Sequence, residues 1–150
     1  MKKLSYLFFV LFSLSFTACS SDDDSGSGND NNPISGKSFG VDFNMQGGYA
    51  QEETIFGEDS YTIQVSTAAL GCDASESSIV AQIICPGSTG VHTASVMVTF
   101  FDEEGDFQTI YMNNRVEITS NSGGRLKGKV NVPGLPSYNM SGTFDVPFCN

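Results

Sequence analysis

The sequence predicts an all-β domain in the form of a single antiparallel β-sandwich, with a small lipocalin-like up-and-down barrel as the alternative. Apolar residues alternate with polar ones in many short runs, which is the two-residue period of half-buried strands. Clusters of Gly, Pro, Asn and Asp separate these runs. No stretch carries an apolar stripe of helical period long enough to predict a helix. Many short strands bounded by turns are typical of sandwiches and small barrels.

The first 18 residues have the pattern of a secretory signal peptide, which is removed and takes no part in the fold. Lys2 and Lys3 form its basic start, and residues 4–16 form a largely apolar segment. That segment is shorter than the roughly 20 apolar residues that a membrane-spanning helix needs. We therefore predict a signal peptide over residues 1–18.

A cysteine follows the leader directly. Phe16, Thr17 and Ala18 precede Cys19, and this run resembles a bacterial lipobox, in which small residues lead to the lipidated cysteine. The resemblance implies transfer of diacylglycerol to the Cys19 sulfur, cleavage before Cys19 and acylation of the new amino terminus. Several acyl chains anchor a protein stably, whereas one chain binds only marginally. The alternative is ordinary cleavage that leaves Cys19 as an unmodified thiol.

An acidic segment follows Cys19. Ser21, Asp22, Asp23 and Asp24 resemble the export signal of surface lipoproteins in Bacteroidetes-type bacteria, which implies an outer-membrane protein that faces the cell exterior. Residues 19–35 as a whole are rich in Gly, Ser, Asn and Asp, a composition typical of a disordered, flexible tether. The alternative is that the acids only keep a spacer solvated.

The charge of the chain limits its partners. Two of the seven Lys and Arg residues lie in the leader, which leaves five against 17 acidic residues, a net charge of −12 (5 − 17). Nucleic acids and anionic headgroups are bound through basic surfaces, so neither is expected as a partner of the mature domain. Contact with the membrane is expected through the lipid alone.

Residues 36–150 provide enough chain for one domain with its own core. Two runs, residues 78–84 and 95–101, are apolar on both faces, which predicts central strands. In the other predicted strands the residues assigned to the inward face are Phe39, Val41, Phe43, Tyr61, Ile63, Val65, Val116, Ile118, Leu126, Val130, Val132, Phe144, Val146 and Phe148.

The end of the chain contains a short internal repeat. Residues 127–133 align with residues 141–147, with Gly on Gly and Pro on Pro. The segment between them holds turn residues, which predicts that the two segments are the last two antiparallel strands. Pro133 and Pro147 cannot donate to a ladder, so each is expected at a strand end or edge. Phe144 is predicted to be a core residue, with Asp145 on the opposite face.

Four segments of the domain carry a resemblance to a known family. Residues 36–39, 114–120, 125–128 and 140–149 are similar to segments of a family of small Bacteroidetes-type surface lipoproteins. The resemblance implies an all-β domain without an assigned function. Because the shared features are strand and turn patterns, they transfer no catalytic residue to this chain.

Three cysteines remain in the domain, an odd number for an oxidising compartment. Cys85 continues the apolar face of its strand, which suits a buried free thiol, whereas Cys72 lies in a polar loop and Cys149 follows the last strand. A strand of about seven residues, roughly 23 Å long, separates Cys72 from Cys85, which exceeds the reach of a disulfide. We therefore favour Cys72–Cys149, with Cys85–Cys149 as the alternative. The spacing does not suit zinc.

No motif predicts catalysis. His92, the single histidine, lies in a loop that leads into a strand and is interpreted as a surface residue. Asp102, Glu104 and Asp106 alternate as in a calcium loop, but the later ligands are missing, so an exposed acidic hairpin turn is the better interpretation. A pair of carboxylates for glycoside hydrolysis is disfavoured, because the acids lie in turns. No cofactor and no metal is predicted.

The function predicted is that of a non-enzymatic binding or adhesion domain for a protein or a glycan, displayed on a lipid-anchored lipoprotein. Four tyrosines are candidates for stacking on sugars, although packing in the core is the default for each: Tyr49, Tyr61, Tyr111 and Tyr138. The alternative function is a lipocalin-like carrier of an apolar ligand, which requires a lined cavity. A hydrolase is the third possibility and is disfavoured.

Overall fold

The computed structural model describes residues 32–72 and 78–149, and within them the chain forms strands and turns but no helix. Accordingly, these residues contain no helix that is long and apolar enough to cross a membrane. The strands are β1 (Ser35–Ser38), β2 (Val41–Asn44), β3 (Gly47–Ile55), β4 (Glu58–Ser66), β5 (Ile79–Pro86), β6 (Gly90–His92), β7 (Met97–Phe101), β8 (Phe107–Ile110), β9 (Arg115–Ser122), β10 (Arg125–Leu135) and β11 (Tyr138–Cys149).

The strands form one open sheet that curls into a half-barrel. Nine strands follow the order β6-β9-β10-β11-β3-β4-β5-β7-β8, and β1 pairs with β11 and carries β2 on its other side. The all-β prediction is confirmed. The curl brings the inward faces of the two halves of the sheet over one core, an arrangement that a sandwich and a barrel share.

Antiparallel pairing, which the sequence predicts throughout, fails at one junction. β11 runs antiparallel to β10 over most of its length. Its last two residues, Phe148 and Cys149, then pair in parallel with Ala50 and Gln51 of β3. β11 is 12 residues long, and its end therefore reaches beyond its earlier neighbour β1 to a strand from a distant part of the sequence. This parallel contact joins the two parts of the sheet.

The two-residue period is confirmed in β9, β10 and β11, whereas β4 is buried on both faces. In β10 the buried residues alternate with exposed or half-buried ones from Arg125 to Val132. Phe144 of β11 is 4% exposed, and its neighbour Asp145 is exposed. Phe144 pairs with Gly128 across the strands, and a Cβ at Gly128 would lie 2.5 Å from the Phe144 ring. The ring therefore covers the glycine and fills the space that a side chain there would take.

The strand predicted around residues 39–43 is interrupted by a turn. Phe39 and Gly40 connect β1 to β2, with φ values of 49° and 80°. Positive φ at both central residues is the pattern of a type I′ turn, which suits a two-residue hairpin. Phe43 is buried, whereas Val41, the first residue of the edge strand β2 after this turn, is 69% exposed. The inward assignment of Val41 is therefore wrong.

The domain begins earlier than the predicted boundary at residue 36. Ile34 is fully buried in the core. The backbone oxygen of Asn32 accepts a hydrogen bond of 2.8 Å from the Thr143 amide. The residues from Asn32 to Ser35, assigned to the tether from their polar surroundings, thus belong to the fold. The burial of one apolar residue, Ile34, explains where the fold begins, because it places the preceding residues against β11.

The two runs that are apolar on both faces are interior strands, as predicted. β5 lies between β4 and β7, and β7 lies between β5 and β8. β5 extends two residues beyond the predicted end at residue 84, and β7 begins two residues after the predicted start at residue 95. The last two strands also form the predicted antiparallel pair, with a turn at Pro136 and Ser137.

Candidate functional site

A groove opens where the two parts of the sheet meet. β1 pairs with residues 139–141 of β11, whereas β3 pairs with its last two residues. The residues just before β1 still pair with Thr143, so residues 144–147 of β11 lie between these two neighbours. Beside them opens a groove of about 700 Å³. Its walls are the outward side of β9, β10 and β11 on one side and residues 45–48 and 69–70 on the other.

Three basic residues of β10 lie along this groove: Arg125, Lys127 and Lys129. They alternate with buried residues of the same strand, so all three belong to its outward face. Asp145 of β11 holds two of them. Its Oδ2 atom lies 2.9 Å from Lys127 Nζ, its Oδ1 atom accepts a hydrogen bond from Arg125 Nε, and its backbone oxygen accepts one of 2.6 Å from Arg125 Nη2.

The two cations control the ionisation of Asp145. Hydrogen bonds from Lys127 and from Arg125 hold the pKa of the Asp145 carboxyl below its ordinary value. The carboxylate is therefore charged at neutral pH, and it fixes the positions of both cationic side chains. These side chains remain about half exposed, at 46% for Arg125 and 48% for Lys127, so they can reach a ligand in the groove.

Two threonine hydroxyls lie beside the cations. Thr119 Oγ1 donates a hydrogen bond of 3.1 Å to the backbone oxygen of Lys127. Thr143 Oγ1 donates one of 3.0 Å to the backbone oxygen of Asn32. Each hydroxyl has one proton and two lone pairs. Since both protons are used within the protein, these oxygens present acceptors to the groove.

A loop tied down by a disulfide forms the opposite wall. The loop packs closely on the start of β3, because a Cβ at Gly47 would lie 2.5 Å from the Leu70 amide nitrogen. Cys72, two residues after Leu70, is bonded to Cys149 at the end of β11, with 5.6 Å between the two Cα atoms. The favoured Cys72–Cys149 pairing is confirmed, and the alternative Cys85–Cys149 is wrong.

Cys85 is a free, fully buried thiol, as its position on the apolar face of β5 predicts. Burial disfavours the charged thiolate and raises the pKa of Cys85 to about 12. A thiol that stays protonated at neutral pH is a poor nucleophile and a poor metal ligand. Cys85 therefore serves as a small apolar core residue.

His92 lies at the end of the short edge strand β6 and is half-buried. Its Nε2 atom is 2.8 Å from the backbone oxygen of Ser88. The hydrogen-bond partner that the structure gives this ring is thus a carbonyl rather than a serine or cysteine side chain. This contact suits a structural role in the turn before β6.

The acidic residues 102–106 form the hairpin turn between β7 and β8, as predicted. The Asp102 Oδ1 atom accepts hydrogen bonds from the amides of Glu104 and Asp106, at 3.0 and 2.8 Å. Carboxylate oxygens of Asp102, Glu104 and Asp106 lie within 4.8 Å of one another. The Asp102 carboxylate closes the turn by accepting these two hydrogen bonds. The turn itself therefore explains why the three acids lie close together, without a bound ion.

Most of the candidate tyrosines are packed inside the domain. Tyr49 and Tyr61 are 7% and 5% exposed, which confirms the default interpretation of core packing for both and removes them as candidates for stacking on sugars. Tyr61 contacts Phe148 edge-to-face at 5.6 Å. Tyr138 is half-buried. Tyr111 is 70% exposed and remains available for contact with a partner.

The groove itself is the feature that sequence reasoning missed. The alternation of this strand places Lys127 and Lys129 on the face opposite to Leu126, Val130 and Val132, and nothing in it indicates a groove. A signal was nevertheless present, because three of the five basic residues outside the leader occur at every second position of a single strand, residues 125–129. What the sequence does not show is that residues more than 50 positions earlier in the chain form the opposite wall.

The residues predicted to carry the lipid and the export signal, Cys19, Ser21, Asp22, Asp23 and Asp24, lie outside the described residues. No protein-family model, curated protein or solved structure matches the chain.

Proposed function

We propose that this protein is a lipid-anchored outer-membrane lipoprotein that faces the cell exterior and carries a non-enzymatic binding domain for a glycan or a protein. The observation that carries the binding role is the groove at the junction of β11 and β3. Its volume of about 700 Å³ is within the range of about 300–1,000 Å³ that is typical of ligand sites. The lipid anchor and the outward orientation rest on residues 16–24 of the sequence.

The surroundings of the reactive side chains support binding rather than catalysis. In the part of the chain that the structure describes, Cys85 is buried and protonated, and the acids of residues 102–106 close an exposed turn. His92 contacts a backbone carbonyl. A nucleophilic mechanism needs a nucleophile within hydrogen-bond reach of a base, and these contacts do not supply that pair.

The carrier function has less support than the binding function. A carrier of an apolar molecule needs an internal cavity, and the inside of the curled sheet is filled by a continuous cluster of buried side chains. The groove lies on the other side of β10, along a row of cations. An apolar ligand would cover these charged groups without offering them a hydrogen bond, which makes an apolar occupant unfavourable.

A substitution that fills the groove tests this function. Thr119 is an exposed residue of β9 on the groove wall, so Thr119→Trp adds bulk there without changing the charge. The matched control is Thr54→Trp, an exposed position on β3 seven residues from Gly47, or about 23 Å along an extended strand. Full-length protein in detergent is applied to arrays of neutral oligosaccharides, acidic oligosaccharides and peptides.

We expect the unmodified protein to bind a class of probe, Thr54→Trp to bind it equally, and Thr119→Trp to lose at least 90% of the signal. Circular dichroism verifies that both variants are folded. Binding that survives in folded Thr119→Trp, or the absence of binding to every class, contradicts a ligand site in this groove.

A further inference from the structure

The distribution of cations in this acidic chain is uneven. The leader apart, five basic residues are present. Lys37 and Arg115 each contact one acid, with 2.8 Å between Lys37 Nζ and Asp42 Oδ1 and 3.6 Å between Arg115 Nη2 and a Glu117 oxygen. The other three, Arg125, Lys127 and Lys129, line the groove. This grouping of three cations favours the approach of an anion to the groove.

Within the groove, two cations share a single carboxylate. Arg125 and Lys127 both contact Asp145, so this group of three carries a net positive charge. Lys129 adds a third cation on the same face of β10. Arg125 Nη1 donates no hydrogen bond to the described residues, whereas Nε and Nη2 each donate one to Asp145. An anion entering the groove can thus accept a hydrogen bond from Arg125 Nη1.

Asp145 also fixes the direction of these donors. It holds the guanidinium of Arg125 at two atoms and the Lys127 ammonium at a third. A guanidinium held in this way loses little further freedom when it binds a ligand, and this lowers the entropic cost of binding. Arg and Lys donors match the oxygens of a carboxylate, and hydrogen bonds between such charged groups are stronger than those between neutral ones.

The rest of the groove fits a molecule with several hydroxyl groups. Thr119 and Thr143 present acceptor oxygens, since each donates its own proton to a backbone carbonyl. Met45, Leu70 and Pro147 add apolar surface to the same groove. Sugar rings carry hydroxyl donors at their edges and C–H groups on their faces. A saccharide therefore matches both the acceptors and the apolar surface.

We propose that the groove at the junction of β11 and β3 binds an acidic saccharide whose carboxylate is held by Arg125 and Lys127. This identification of the ligand rests on the binding function proposed above. The carboxylate occupies the positive end of the groove, and ring hydroxyls donate to Thr119 and Thr143. Asp145 does not contact the ligand but positions the two cations.

Isothermal titration with defined probes tests the ligand class. The probes are trigalacturonate, its methyl ester, which has the same rings without the charge, and a tripeptide of glutamate. The charge variant is Lys127→Gln, and its control is Lys37→Gln, because each removes a partly exposed lysine that contacts one aspartate at 2.8–2.9 Å. Full-length protein in detergent is used throughout, together with Thr119→Trp.

We expect trigalacturonate to bind at least tenfold more tightly than its methyl ester and than triglutamate. Lys127→Gln is expected to weaken trigalacturonate binding about tenfold, which is the effect of losing one charged hydrogen bond. Lys37→Gln is expected to leave it within about twofold, and Thr119→Trp to abolish it. Higher salt is expected to weaken the binding of the acid more than that of the ester.

Three outcomes overturn the proposal. Equal affinity for the acid and the ester, lost in Thr119→Trp, shows that the groove binds sugars without regard to charge; the binding function then stands and the acidic ligand does not. Triglutamate binding as tightly as trigalacturonate shows a preference for acids rather than saccharides. If Lys127→Gln and Thr119→Trp leave trigalacturonate binding unchanged, or no probe binds, the groove is not its site.

Discussion

Phe144 and Asp145 are neighbours in the chain with opposite surroundings. Phe144 is buried and covers Gly128, whereas Asp145 is exposed and holds two cations. Phe144→Ala removes the ring and leaves a cavity, for which the typical cost is about 3–5 kcal/mol. The ion pairs of Asp145 are exposed to solvent, and pairs of this kind contribute about 0–1 kcal/mol. We expect a large fall in the urea midpoint for Phe144→Ala and a small one for Asp145→Ala.

The pH dependence of the Asp145 variant separates an ion-pair contribution from a packing contribution. Folding lowers the pKa of the Asp145 carboxyl from its ordinary value of 3.8. The ionised carboxylate therefore contributes fully to stability above that value, and this contribution is lost as the pH falls through the lowered pKa. The difference in the free energy of unfolding between the wild type and Asp145→Ala should therefore be measurable at pH 7 and vanish in strong acid. The loss of stability caused by Phe144→Ala should persist at every pH at which the protein is folded. Equal effects of the two substitutions at pH 7 would contradict the register of β11.

At the scale of elements, the Cys72–Cys149 disulfide connects the loop after β4 to the end of β11. The bond spans 77 residues, and closing a loop of that length in the unfolded chain corresponds to roughly 4 kcal/mol in the loop-entropy model. We expect the double variant Cys72→Ser/Cys149→Ser to lose stability of that order, measured by urea unfolding. The loop also forms one groove wall, so the same variant is expected to weaken ligand binding.

Alkylation of the thiols provides the control for this assignment. In the folded, unreduced protein, iodoacetamide should label none of Cys72, Cys85 and Cys149. Reduction should expose Cys72 and Cys149 to the reagent. Cys85 should react only after unfolding, because it is buried and its pKa is raised to about 12. Labelling of Cys85 in the folded state, or a peptide map with a bond between Cys72 and Cys85, would contradict the structure.

At the scale of the whole molecule, the domain is expected to be held at the membrane by its amino terminus. The described part of the chain begins at Asn32, whose backbone oxygen accepts a hydrogen bond from the Thr143 amide beside the groove. Cys19→Ala should release the protein from membranes and abolish labelling by a palmitate analogue. Retained labelling in this variant would exclude Cys19 as the lipidated residue.

The acidic residues after Cys19 provide the second part of this test. Replacing Asp22, Asp23 and Asp24 by Ala should leave the protein lipidated but protected from protease added to intact cells, as expected if the three acids direct export. The unmodified protein should be cleaved under the same conditions. Cleavage of the triple variant at the wild-type rate would show that these residues serve only as a spacer.

The local alternation of apolar and polar residues was sufficient to predict much of the fold. The alternation in β9, β10 and β11 predicted which side chains are buried, because a strand's own two-residue period determines its faces. In β4 it did not, since Thr62 and Ser66 on the polar face are buried as well. The buried thiol of Cys85 followed from the same rule. The turn at Phe39 and Gly40 was missed, since alternation continues through a two-residue hairpin and only the positive φ values reveal the reversal.

The sequence by itself determined the all-β class, the pairing of the last two strands, and the Cys72–Cys149 bond as the favoured one of two alternatives. Each of these depends on residues that are close in the chain or on the limited reach of a disulfide. The tertiary structure alone decided the parallel contact between β11 and β3 and the groove beside it. That groove joins residues 45–48 and 69–70 to β10 and β11. Such contacts depend on how the whole sheet curls, which no local period encodes.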